Sequence, residues 1–204
     1  GISDTIYIRI LTLRGVSMRI IDILEKETWI RSYPFVNDFL ISEYFAILKD
    51  SYHRLNTDIL FDSNIHGKDH IERVIFFTHL LAFHYGLDKK DTDVLRNAAS
   101  LHDTRRVNDG WDTDHGHRAA KESIGYSYAE KSDNGVIQAV IAAHSSDDKI
   151  MDETIREFIG PKDDFERTKK LAKLFKDADG LDRVRINHLD PDFLRNDFSK
   201  DLVD

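Results

Sequence analysis

The fold is decided by the stretch Lys68-Asp69-His70-Ile71-Glu72-Arg73-Val74-Ile75-Phe76-Phe77-Thr78-His79-Leu80-Leu81-Ala82-Phe83-His84-Tyr85. Val74, Phe77 and Leu81 recur at helical spacing and Gly86 follows as a stop, so an amphipathic helix is expected over Lys68 to Tyr85. Polar His70 lies on the same apolar stripe, one turn before Val74.

Outward from this helix the periodicity stays helical. Asp91 to Leu101, opened by Asp88-x-x-Asp91, carries Val94, Leu95, Ala98 and Leu101. Thr104 to Asp114 is polar with a glycine and reads as a loop. Gly116 to Glu130, Asn134 to His144 and Phe165 to Asp182 read as further helices. Toward the N-terminus, Val16 to Ser32 and Phe35 to Leu55 each read as one helix, separated by the Tyr33-Pro34 step. Thr5 to Leu13 alternates like a strand (Ile6, Ile8, Ile10) yet also fits a helix, and the tail from Pro191 is a short helix or a disordered end. About eight helices and at most one short strand make an all-α bundle.

The chain has 204 residues, 29 Lys+Arg and 37 Asp+Glu, for a net charge of −8. That length suits one domain, or one domain with an extension, and buries a core without staples. The acidic balance argues against a nucleic-acid polymer or an anionic membrane as the main partner. Arg9, Arg14 and Arg19 interrupt the most apolar stretch, so no spanning helix is expected. Asp4 and Arg9 break up any signal-like segment. Zero Cys excludes disulfide scaffolds, thiolate zinc sites and Cys nucleophiles. A cytoplasmic location is the expectation.

Four stripes carry a residue that does not belong in a bland core. His70 shares its face with Val74, Phe77 and Leu81. His102 continues Leu95 and Ala98, His144 continues Ile137, Val140 and Ile141, and Asp179 continues Ala172 and Phe175. A buried unpaired carboxylate is costly and a buried imidazole needs partners for both nitrogens. One or two metal ions would satisfy all of them. Imidazole plus carboxylate without sulfur suits Mn, Fe, Co, Ni or Zn. Each residue alone has a plainer explanation as a hydrogen-bonded core residue. The pair His102-Asp103 carries little by itself, since a chain with 10 His and many Asp holds about one such dipeptide by chance.

The ordered set is more specific. His70 lies in His70-Ile71-Glu72-Arg73-Val74, His102-Asp103 in Ala98-Ala99-Ser100-Leu101-His102-Asp103, and Asp179 in Ala178-Asp179-Gly180-Leu181. This set resembles the HD-domain superfamily of metal-dependent phosphohydrolases, whose signature is H…HD…D on an all-helical fold. The resemblance covers roughly residues 65–184. It implies an HD-like core over 61–190, an N-terminal helical extension over 1–60 packed on it, and a tail over 191–204.

Carried over residue by residue, the resemblance implies His70, His102, Asp103 and Asp179 as ligands of one divalent transition metal. Subgroups with two metals place extra histidines where His115 and His144 stand, with Asp103 then bridging. His115 is preferred to His117 because it leads the H-G-x-x-A pattern. The implied activity is hydrolysis of a small anionic phosphorylated substrate, a nucleotide or sugar phosphate, by metal-activated water. Asp103 is the catalytic centre of that reading. Arg105 and Arg106 are the expected phosphate clamp: Arg106 is favoured for the phosphate and Arg105 for pairing a nearby carboxylate such as Asp109 or Asp112. Lys68, Arg73 and Arg118 are secondary cations. Asp177 and Asp182 are expected to be solvated, and His53, His79, His84 and His188 structural or superficial.

Departures from subgroup patterns narrow the substrate. His144-Ser145-Ser146 stands where cyclic-di-GMP phosphodiesterases have H-H-E, and Arg105-Arg106 stands where alarmone hydrolases have an acidic pair. Arg106 also replaces the Glu of 5′-deoxynucleotidases. A non-catalytic nucleotide-binding regulatory module and a diiron oxygenase of the same superfamily remain the alternatives.

Overall fold

The computed structural model describes residues 19–203. Among the described residues there are ten α-helices, several 3-10 turns and no strand, so the all-α expectation holds. The Thr5 to Leu13 alternation lies outside the described residues. No described helix is long and apolar enough to cross a membrane.

The helices are α1 (Ile20–Lys26), α2 (Pro34–Leu40), α3 (Glu43–Arg54), α4 (Lys68–His84), α5 (Lys89–Leu101), α6 (His115–Glu122), α7 (Asn134–Ser145), α8 (Met151–Phe158), α9 (Phe165–Leu181) and α10 (Asp197–Asp201). Helix α7 is central, with α5, α6, α8 and α9 packed around it, and α4 lies between α3, α5 and α9. Its Val136, Ile137, Val140 and Ile141 are fully buried, as expected of a helix surrounded on all sides. The extension joins this core directly: Phe39 of α2 packs edge-on to Phe76 and Phe83 of α4, with centroids 6.2 and 5.7 Å apart.

Three of the expected helices are interrupted. The segment expected over Val16 to Ser32 gives α1, an extended Glu27 (φ −85°, ψ 127°) and a 3-10 turn over Trp29–Ser32; residues 16–18 lie outside the description. Ile23 and Ile30 are seven residues apart and share a face with or without the break, so periodicity cannot detect it. The segment from Phe35 to Leu55 breaks at Ser42, which is extended (φ −83°, ψ 164°). Its hydroxyl donates to Phe39 O at 2.7 Å, the local competition that makes serine a poor mid-helix residue. Helix α6 stops at Glu122 instead of Glu130 because Ser123 is drawn inward, its Oγ 2.7 Å from Thr104 Oγ1. Helix α8 was not expected at all. Only Met151, Thr154 and Ile155 of its eight residues are buried, too few to register as a stripe.

The tail is ordered by one buried carboxylate. Asp177 accepts from Arg195 N at 2.9 Å and from Asn196 N and Nδ2 at 2.9 and 2.7 Å. It is therefore a buried anchor, not the solvated residue expected. Beyond it, Phe198 stacks flat on His84, 3.7 Å between centroids.

Candidate metal centre

The polar cluster forms where the ends of five helices meet. His70 stands in the first turn of α4, His102 caps the C-terminus of α5 and Asp103 follows it. His115 opens α6, His144 is near the end of α7, and Asp179 is in the last turn of α9. Helix ends suit this task because their side chains reach past the backbone cylinder toward a common point. Gly116 lets two of them approach: a Cβ there would lie 2.9 Å from Ile141 O and 3.1 Å from His144 Nδ1. Lys176 of α9 closes the end of α7, donating to Ala143 O at 2.9 Å, and so fixes the turn that carries His144.

All six residues expected as ligands come together. His70 Nε2 lies 3.2 Å from His102 Nε2 and 3.4 Å from both Asp103 Oδ2 and Asp179 Oδ1. On the other side, Asp103 Oδ1 lies 3.0 Å from His115 Nε2 and 3.7 Å from His144 Nε2, and those two nitrogens are 2.9 Å apart. The two oxygens of Asp103 thus face different histidines, Oδ2 toward His66, His70 and His102 and Oδ1 toward His115 and His144. His117 is elsewhere, 3.5 Å from Glu157. Three overlapping triads have ligand atoms all within 4.8 Å of one another: His66/His70/Asp103, His70/His102/Asp179 and His102/Asp103/His144.

The tautomers follow from the partners of the Nδ1 atoms. His102 Nδ1 faces Ala99 O at 3.0 Å, His115 Nδ1 faces Asp112 O and His144 Nδ1 faces Ile141 O. A carbonyl only accepts, so each Nδ1 carries a hydrogen and each ring turns its Nε2 edge inward. Such Nδ1 anchoring is what orients metal-binding histidines. Asp103 Oδ1 is buried and, among the described residues, meets no well-aligned donor. These buried His and Asp groups could hold a metal ion.

Electrostatics divide the rings. Burial disfavours a charge on His70, yet Asp103, Asp179 and Asp182 outweigh it and raise its pKa to about 10. Burial prevails at His102, lowering its pKa to about 3 against the pull of Asp103, and it lowers that of His144 too. Burial alone would raise the carboxyls of Asp103 and Asp179. The histidines around them reverse that and hold both well below the usual carboxylate range.

The surrounding cations are each held by a carboxylate. Arg105 Nε pairs with Glu122 at 3.1 Å, not with Asp109 or Asp112. Helix α6 runs back past the loop and brings Glu122 alongside, while Asp112 is taken by Arg118 and by Val107 N. Arg106 Nε lies 3.0 Å from Asp103 Oδ1, on the cluster itself. Lys68 reaches only Glu72, at 4.0 Å.

Three residues were missed. Asp182 is fully buried; it accepts from His70 Nδ1 at 2.6 Å and from Arg73 Nε at 2.6 Å. Its position three residues after Asp179, on the same helical face, was the available signal. His66 Nδ1 lies 3.0 Å from Asp103 Oδ2, brought there by a turn at Gly67 where a Cβ would meet Ser63 O at 2.1 Å. Arg185 spans His66 Nδ1 at 3.1 Å, Ile65 O at 2.9 Å and Asp182 Oδ2 at 3.2 Å, and no local pattern announces it. Of the remaining histidines, His79 is a buried structural residue between Ile75 O at 2.7 Å and Ser51 Oγ at 3.0 Å.

Comparison of this chain with models of known families, with curated proteins and with solved structures finds no match.

Proposed function

We propose that this protein is a metal-dependent phosphohydrolase of the HD type, acting on a small phosphorylated substrate such as a nucleotide or sugar phosphate. The observation that carries the reading is the orientation of the rings. His102, His115 and His144 are each turned by a carbonyl so that the Nε2 edge faces a buried carboxylate. Two ring nitrogens 2.9 Å apart, as at His115 and His144, need a proton or a cation between them. On this reading His70, His102, Asp103 and Asp179 hold one divalent transition ion (Mn, Fe, Co, Ni or Zn), and His115, His144 and Asp103 can hold a second.

When bound, such an ion would polarise a phosphoryl oxygen and activate water. The chain's own part is positional. Asp103 joins the two halves through its two oxygens. Asp182, fixed by Arg73 and Arg185, keeps the Nε2 edge of His70 turned inward. Arg106 supplies positive charge at the rim, which an anionic substrate needs in a protein of net charge −8.

The test is metal analysis of protein purified without chelator, followed by a phosphate-release screen across the five metals with nucleotide and sugar phosphates. Release only with a transition metal, lost in a folded Asp103→Ala variant, is the expected result. Wild-type turnover in that variant removes the catalytic reading. Metal-replete protein that releases no phosphate favours the non-catalytic binding module, and O2 consumption by an iron-loaded sample favours the oxygenase.

A further inference from the structure

We infer that Arg106 is a built-in cation occupying the Oδ1 side of Asp103, so that a second metal ion binds there only by displacing it. This rests on the metal-centre reading above and concerns what the chain does to the second of the two sites.

The two halves of the cluster are unequal in charge. The Oδ2 side has His66, His70, His102 and a second carboxylate, Asp179, 3.4 Å from His70 Nε2, and its cation, Arg185, is paired with Asp182 at 3.2 Å. The Oδ1 side has His115 and His144, both bonded through Nδ1 to carbonyls, and among the described residues the carboxylate oxygen paired with both Nε2 atoms is that of Asp103. In place of a second carboxylate it has a guanidinium, Arg106 Nε, 3.0 Å from that oxygen. A divalent ion held by Oδ1, His115 and His144 would sit within a few ångströms of this positive charge. The side chains are largely excluded from water, Arg106 being 10% and Asp103 2% exposed, so the repulsion is only partly screened. The Oδ2 side should fill first.

Arg106 is placed to leave. Its Nε–H is not aimed at Oδ1, since both atoms are buried without a hydrogen bond despite the short distance. Its Nη1 donates to Asn108 O, at a long 3.5 Å. The contrast is Arg73, whose Nε and Nη2 both donate to Asp182, at 2.6 and 3.2 Å, on the other side of the centre. Arg106 is followed by the exposed residues Val107 to Trp111, which leave its side chain a way out. Displaced, it would stand at the start of the Thr104–Asp114 loop, free to meet an anionic substrate.

The experiment is calorimetric titration of the full chain with Mn2+, with electron paramagnetic resonance to detect coupled Mn2+ pairs. Wild type, Arg106→Gln and Arg106→Lys are compared, each first shown to be folded by thermal denaturation. Wild type should show a tight first event and a weaker second. Arg106→Gln should tighten the second event by about tenfold or more, the scale on which groups around a metal site act, and leave the first within about twofold. Arg106→Lys, which keeps the charge, should stay close to wild type and keeps the test interpretable if the Gln variant unfolds. Equal second-ion affinity in wild type and Arg106→Gln overturns the inference and leaves the metal centre standing. Absence of any binding in wild type overturns the metal centre, and the inference with it.

Discussion

His115 Nε2 and His144 Nε2 face each other across 2.9 Å, each ring held from behind by the carbonyl of the residue three positions earlier, Asp112 and Ile141. The first helical position of α6 and the penultimate residue of α7 thus bring two ring nitrogens to hydrogen-bond distance. A proton or a metal ion between the two nitrogens would suit that arrangement.

Removing one of the pair should remove one ion. At saturating Mn2+, His144→Ala is expected to bind about one equivalent fewer than wild type, because the Oδ1 side would retain a single imidazole. Atomic absorption after gel filtration counts the ions. Equal stoichiometry and equal affinity would make His144 an ordinary core residue.

Asp182 should matter without touching the metal. Asp182→Asn keeps an oxygen for His70 Nδ1–H but loses the charge that Arg73 and Arg185 hold in place. Metal affinity is expected to fall by about 10- to 100-fold, the usual range for a carboxylate behind a ligand histidine. Competition with a fluorescent chelator reads the change, and an unaltered constant would rule out this orienting role.

His79, far from the cluster in role, predicts part of the acid sensitivity. Burial lowers its pKa to about 4 from an ordinary value of 6.5. Above pH 6.5 the ring is neutral in both states and its buried hydrogen bonds contribute fully. Between 6.5 and 4 the unfolded chain takes up a proton that the folded one refuses, so stability falls as pH falls. The loss can reach about 3 kcal/mol. Urea unfolding of wild type and His79→Gln at pH 7 and pH 4.5, with chelator present, should show a smaller drop in the variant. An equal drop would mean that other groups carry the acid limb.

Gly116 should resist substitution where another glycine does not. A Cβ at Gly116 would lie 2.4 Å from Ser145 Oγ and 2.9 Å from Ile141 O, whereas one at Gly125 meets nothing within 4 Å. Gly116→Ala is expected to cost about 1–3 kcal/mol by pushing α6 off α7, and to weaken the second metal event by separating His115 from His144. Gly125→Ala should stay within about 0.5 kcal/mol of wild type. Thermal melts of the two variants side by side decide it.

By itself the sequence determined the helical character, through the stripe of Val74, Phe77 and Leu81 and its counterparts, because a 3.6-residue period is a local property that survives any packing. It also determined which polar residues had to find partners, since His70, His102, His144 and Asp179 interrupt stripes that are otherwise apolar. Local pattern could not place helix breaks such as Ser42, where the side chain competes for the backbone, nor detect α8, whose burial rests on three residues. Only the tertiary structure decided the second layer of the centre. Asp182, His66 and Arg185 act across sequence separations of 112, 37 and 119 residues, and no periodicity spans such distances. The fate of Arg106 was settled in the same way: the sequence placed a cation after Asp103, and packing turned it onto that carboxylate rather than outward. A buried anion takes the nearest positive charge the fold can deliver, and which charge that is depends on where helices from distant parts of the chain come to rest.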